Sequence, residues 1–197
     1  MHFETGKYYH FYNRSNNEEL VFKSEENYAY FLEKYRHYLE PQLLTLAYCL
    51  MPTHFHFLVR VKVMPERLNA SDAVKAADIS MTITKSIGLL LSSYTKAINK
   101  RYRRHGSLFQ THSKSKQIHD EAYLLTLVSY IHQNPVRSNL AAKPEDWKFS
   151  SYQDLIGIRD GSLPDREFVR RYFKTARKFR QYSERVVSSA KEDYRVS

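Results

Sequence analysis

The chain is poor in the residues that staple, break or loosen a fold. Its single cysteine, Cys49, can form no internal disulfide, so a disulfide-scaffolded secreted domain is excluded and a reducing cytoplasmic compartment is expected. Only 5 glycines and 6 prolines are present, too few for a collagenous, linker-dominated or disordered chain. Long apolar runs are also missing. The longest, Leu43 to Met51, is broken by Thr45 and falls far short of the ~20 residues a membrane-spanning helix needs. The first residues hold no apolar core flanked like a signal peptide, which again favours the cytoplasm, and no membrane-spanning segment is expected. From Ile79 to His119 there is no Asp or Glu at all.

What is present is a folded, strongly basic protein. Its 197 residues suffice to bury roughly 70% of the unfolded surface. Lys and Arg number 31 against 21 Asp and Glu, a net charge of +10, which points first to nucleic acid as a partner and second to an anionic membrane surface. Eight cations fall in the acid-free segment: Lys85, Lys96, Lys100, Arg101, Arg103, Arg104, Lys114 and Lys116. A solvated helix face normally mixes signs, and Tyr102 among the arginines adds a ring on which a base could stack, so these nine residues are the candidate DNA contacts. A second basic stretch runs from Asp165 to Ser197; it could clamp DNA or simply keep the chain soluble.

Periodicity gives the elements. Lys7 to Arg14 is an aromatic-rich strand closed by Ser15-Asn16-Asn17. Ser24 opens a helix whose Tyr28, Phe31, Leu32, Tyr35 and Leu39 recur at helical spacing until Pro41. Residues 43–50 and 54–61 make a hairpin around Met51-Pro52-Thr53. After a loop through Ala77, Ile83, Ile87, Leu90, Tyr94 and Ile98 mark a long helix closed near Gly106. Residues 107–118 are read as a fourth strand. Asp120 caps a third helix with an apolar face of Leu124, Leu127, Val128 and Ile131, expected to end where Pro135 follows Asn134. The order β-α-β-β-α-β is the split βαβ, or ferredoxin-like, α+β arrangement: an antiparallel sheet with helices on one face. The expected division is a domain over 1–155 and a basic helical extension over 156–197. A short helix opens at Ser150-Ser151 and runs to Gly157, and from Asp165 onward one helical stripe joins Phe168, Val169, Tyr172, Phe173, Ala176 and Phe179.

Two features could carry chemistry. Alternation along a strand puts His54 and His56 on one face, where two imidazoles can share a metal ion; the same spacing also fits two unrelated packing histidines. Tyr130 and Asn134 lie one helical turn apart, pairing a phenol that can act as nucleophile with an amide oxygen that can join imidazoles on Mg²⁺ or Mn²⁺. With 16 tyrosines in the chain, packing is the competing role for any of them, and Tyr123 is the nearest rival on the same helix.

These pieces coincide with a known pattern. Tyr9-His10-Phe11-Tyr12-Asn13-Arg14, then Ala47 through Leu58, which includes His54-Phe55-His56, then Gly106-Ser107-Leu108-Phe109-Gln110, resemble the IS200/IS605-type single-tyrosine transposases. Tyr130-Ile131-His132-Gln133-Asn134-Pro135-Val136-Arg137, followed by Trp147 to Tyr152, resembles their REP-associated branch. The resemblance spans residues 7 to about 155. Thr53 departs from it, since many relatives have Asn before the first metal histidine.

The resemblance implies a metal-dependent transposase that cuts and rejoins single-stranded, hairpin-forming DNA through a 5′-phosphotyrosine. Tyr130 would be the nucleophile, and His54, His56 and Asn134 the ligands of one Mg²⁺ or Mn²⁺. His132 or metal-bound water would be candidates for the general base, and a monomer is expected over a homodimer. The competing expectations are a hairpin-binding DNA or RNA module of the same fold without catalysis, and a metal-dependent phosphodiesterase with no covalent intermediate.

Overall fold

The computed structural model describes residues 1–63 and 72–186. In chain order the elements are β1 (Tyr8–Arg14), α1 (Glu25–Leu39), β2 (Leu43–Met51), β3 (His54–Val61), α2 (Asp72–Tyr102), β4 (Lys114–Ile118), α3 (Glu121–Arg137), α4 (Tyr152–Leu155), α5 (Arg166–Phe173) and α6 (Ala176–Val186). The strands form one antiparallel sheet in the order β2-β3-β1-β4. This is the split βαβ arrangement read from the sequence. Among the described residues no helix is long and apolar enough to cross a membrane.

Strand alternation sorts the side chains into two cores. Tyr9 and Phe11 of β1 and Phe55, Phe57, Val59 and Val61 of β3 point to one face, where they meet Phe31, Tyr35 and Leu39 of α1 and Ile83, Ile87, Leu90, Tyr94 and Ile98 of α2. Tyr35 stacks on Phe57 with ring centroids 4.1 Å apart, and its hydroxyl hydrogen-bonds Thr45 at 2.8 Å. The two helices of the split repeat thus share one face. Leu46, Cys49, Leu58 and Ile118 look the other way, onto Leu124, Leu127, Val128 and Ile131 of α3. Phe168, Val169, Phe173 and Phe179 of α5 and α6 complete this second core, so α3 is held from both sides. Each such side chain contributes about 1.5–3 kcal/mol by leaving water.

Several boundaries differ from the sequence reading for identifiable reasons. The start of α2 at Asp72 precedes the expected one, and residues 64–71 of the expected loop lie outside the described residues. The fourth strand begins only at Lys114. Its expected first half is a loop: Leu108 and Phe109 turn inward to the α1/α2 core, and only an isolated bridge between Phe109 and Ser15 is formed there. The single stripe expected beyond Asp165 is two helices, divided at Lys174, whose φ is +59°. Phe173 and Phe179 are six residues apart and would lie ~240° apart around a straight helix; the break brings their rings to 5.1 Å.

The expected end of α3 at Asn134 is also corrected, since α3 runs through Pro135 to Arg137. A proline in a helix leaves the carbonyl four residues back without its donor. Here that carbonyl belongs to Ile131, and the Asn134 side-chain Nδ2 donates to it at 3.3 Å and to the Tyr130 carbonyl at 3.0 Å.

Candidate active site

Register determines what surrounds the two histidines. On the α3 side of the sheet, His56 faces Tyr12 of β1 and Cys49 of β2, and His54 faces Arg14 and Met51. One strand further out, Lys114 faces Tyr12 and Lys116 faces His10. A polar band of imidazole, phenol and cationic groups therefore crosses three strands beside the apolar patch that seats α3.

α3 lays Tyr130 over this band. Its ring lies 6.1 Å from that of His56, and the Arg137 guanidinium sits over the Tyr130 ring at 5.2 Å. Burial pushes the Tyr130 phenol up, Arg137 pulls it down, and Tyr12 and Tyr123 push it up again. It is therefore a protonated phenol at neutral pH. Asn134 is buried one turn beyond, and because its Nδ2 is spent on the helix carbonyls, its Oδ1 is the atom left for a ligand.

Both histidines are anchored at the same ring atom. Nδ1 of His54 shares a 3.1 Å hydrogen bond with the Thr53 hydroxyl, and Nδ1 of His56 shares one of 2.9 Å with Nε2 of His10. Their rings are nearly perpendicular, with centroids 5.2 Å apart. Nε2 of His56 is buried with no hydrogen-bond partner, the kind of orphan that a buried polar atom rarely remains without a reason. Burial, then the Arg14 charge, pulls His54 down to about 4. Burial, then His10 and His54, pulls His56 well below the usual imidazole value. Both are neutral and can donate a lone pair.

The donor set fits a divalent cation. Two neutral imidazoles and an amide oxygen give mixed nitrogen and oxygen ligation compatible with Mn²⁺ or Mg²⁺, and the orphaned His56 nitrogen is what such an ion would occupy. Among the described residues no group of three or more His, Cys, Asp or Glu is arranged for a metal, so an ion here would draw on the Asn134 amide.

No protein-family model matches the chain, and no curated protein matches it. Among solved structures, a REP-associated tyrosine transposase bound to a REP hairpin superposes with a TM-score of 0.53, covering 84% of this chain and 94% of that one at 16% identity. This chain has the fold of a REP-associated tyrosine transposase. The match takes in most of both chains.

Within this transposase fold the nine basic-segment candidates separate. Lys85, Lys96, Lys100 and Arg101 are exposed on α2, across the sheet from Tyr130. Arg103, at φ +52°, follows the end of α2 and is exposed. Arg104 is engaged in the fold: it pairs with Glu19 at 2.9 Å with a side chain only 12% exposed, and it donates to Asn99 and to the Gly106 and Ser107 carbonyls. Tyr102 donates to Asn27 at 3.0 Å, with Lys23 and Arg101 beside its ring. Lys114 and Lys116 alone of the nine stand on the strand next to the site. An open groove of about 580 Å³ runs along β4 there, with Tyr12, Lys114 and Lys116 in its lining.

His132 does not fit the role of general base. It is fully buried on the other side of α3, bonded through Nε2 to Ser151 at 2.8 Å and packed on Tyr152 and Phe179. Tyr123 lies at the helix start, where its hydroxyl accepts from Lys116 at 3.4 Å. Sequence reasoning assigned no role to His10, Tyr12, Arg14 or Arg137. The alternation Tyr8, His10, Tyr12, Arg14 marks one face of β1, but its pairing with β3 joins residues 40 or more positions apart.

Proposed function

We propose that the chain cuts and rejoins single-stranded, hairpin-forming DNA, with Tyr130 as the nucleophile. The observation that carries this reading is the convergence of Tyr130, His54, His56 and Asn134 on one side of the sheet. The fold, that of a transposase bound to a hairpin, supports it.

In the proposed reaction the Tyr130 hydroxyl oxygen attacks the scissile phosphorus. The new O–P bond forms as the bond from phosphorus to the 3′ oxygen breaks. The phenol gives up its proton, the 3′ oxygen gains one, and a 5′-phosphotyrosine remains. Because the phosphodiester energy is kept in that ester, a second 3′-hydroxyl can attack it, release Tyr130 and join a new strand without ATP. Arg137 offsets the negative charge on the phenol oxygen as its proton leaves. His54 and His56 through Nε2, and Asn134 through Oδ1, would hold Mg²⁺ or Mn²⁺. Such an ion would polarise a non-bridging phosphate oxygen and neutralise charge developing there. Lys114 and Lys116 meet phosphates of the strand entering along β4.

The test is incubation of the full chain with a 5′-extended hairpin oligonucleotide and Mn²⁺, followed by denaturing electrophoresis. A covalent protein–DNA species that vanishes in EDTA is expected. Cleavage without an adduct would replace the transposase by a metal-dependent phosphodiesterase, cleavage persisting in EDTA would remove the metal, and binding with neither product would leave a hairpin-binding module.

A further inference from the structure

We infer that His10, on β1, is a positioning residue for the site: by accepting the Nδ1 proton of His56 it holds that ring in the tautomer whose Nε2 presents a lone pair to a divalent cation. The inference rests on reading His54, His56 and Asn134 as the metal-holding set.

A neutral imidazole carries one N–H and one lone pair, so the partner of one nitrogen decides what the other offers. His10 Nε2 and His56 Nδ1 lie 2.9 Å apart and both rings are buried. A single proton is shared between these two atoms. Were His10 the donor, the His56 proton would sit on Nε2, a buried atom with no acceptor, and no cation could bind there. With His56 as donor, Nε2 carries a free lone pair on a ring that lies 6.1 Å from that of Tyr130 on α3.

His54 is bonded at the equivalent atom: its Nδ1 shares a hydrogen bond with the Thr53 hydroxyl, which can donate or accept. Two different side chains, one on the turn and one on a neighbouring strand, therefore engage the two rings at Nδ1 and leave both Nε2 atoms out of these bonds. A hydrogen bond to the far nitrogen of a metal-binding histidine fixes its tautomer and orientation, and losing one typically costs 10–100-fold in metal affinity. The geometry around His10 makes it rigid enough to do this. Its ring packs in a three-ring cluster, 4.6 Å from that of Tyr12 and 5.1 Å from that of His56, with Tyr12 and His56 5.8 Å from each other. Its backbone is paired on both sides, to Leu58 of β3 and Lys116 of β4.

The test uses the metal-free full chain first. Long-range ¹H–¹⁵N correlation spectra should show His56 as the Nδ1–H tautomer in the wild-type protein and as a tautomer mixture in His10→Phe. Mn²⁺ affinity, read by electron paramagnetic resonance without DNA, should fall 10–100-fold in His10→Phe. It should stay within about threefold of wild type in His10→Gln, whose amide oxygen can accept the same proton; a space-filling role for His10 would predict the reverse order. An Nε2–H tautomer of His56 in the wild-type protein, or equal Mn²⁺ affinity in wild type and a folded His10→Phe, would overturn the inference. Should His10→Phe not fold, the wild-type tautomer and the His10→Gln affinity decide it. Wild-type protein that shows the Nδ1–H tautomer yet binds no Mn²⁺ would refute the metal-holding set while upholding the His10–His56 assignment.

Discussion

The side-chain amide of Asn134 donates to the carbonyl of Ile131, the one backbone acceptor that Pro135 leaves without a partner. This contact lets α3 continue past a proline for two further residues, and it turns the amide so that its oxygen faces away from the helix backbone. The extra turn also matters for Tyr130. Arg137 follows Tyr130 by two helical turns and reaches back over its ring, which a helix ending at Asn134 would not allow.

If Asn134 replaces the missing N–H, its value depends on Pro135. Asn134→Ala should cost about 1–3 kcal/mol in urea denaturation, and about 1 kcal/mol less in a Pro135→Ala background, where the backbone supplies its own donor. Additive effects would mean that the amide plays no part in carrying the helix through the proline.

The split of the basic residues predicts a split in salt dependence. With about five single-strand phosphates neutralised, log K should fall with log salt at a slope near −3.5. Lys114→Ala with Lys116→Ala should make it shallower by about 1.4. Arg104→Gln should lower stability through loss of the Glu19 pair and leave the slope unchanged. A slope that responds to Arg104 and not to the β4 lysines would place the DNA path along α2.

The elements were legible because their signals are local. Ser24, Pro41, Pro52 and Asp120 punctuate the chain, and the apolar spacing of α1, α2 and α3 matches the buried faces observed. His54 and His56 were placed on one face by alternation alone, and Tyr130 with Asn134 by helical spacing. What the sequence could not supply depends on contacts between distant segments. The His10–His56 bond needs the β1/β3 register, the burial of His132 needs α6, and the pairing of Arg104 with Glu19 needs the two ends of the α1/α2 face brought together. Pro135 misled because a helix-breaking rule is local, whereas its remedy is a side chain one position earlier.

Buried neutral histidines make stability depend on pH. Burial lowers His132 to about 3; burial and then the Lys116 charge lower His10 to about 3. Below pH ~6.5 the unfolded chain binds protons that the folded chain does not. Stability should therefore be full above that value and decline as pH falls toward 3, by up to about 1.4 kcal/mol per pH unit for each ring. The urea midpoint should drop steeply between pH 6.5 and 5, and less steeply in His132→Gln. A midpoint constant over that interval would show that these rings are accessible to protons in the folded protein.

The C-terminal helices are expected to support the site through α3. Phe179 is fully buried, with its ring 6.0 Å from that of His132 and 5.1 Å from that of Phe173. Phe179→Ala should cost about 3–5 kcal/mol. A loss under 1 kcal/mol in chemical denaturation would mean that α6 does not support α3.

The central claim is that Tyr130 joins DNA covalently. Tyr123 precedes it by seven residues, about 10 Å along the helix axis, and only Tyr130 is one turn from Asn134. Digestion of the protein–DNA adduct and mass spectrometry of the nucleotide-bearing peptide tests this most directly. The modified tyrosine should be Tyr130, with no adduct in Tyr130→Phe and an undiminished one in Tyr123→Phe; a nucleotide found on Tyr123, or an adduct surviving in Tyr130→Phe, would contradict the mechanism.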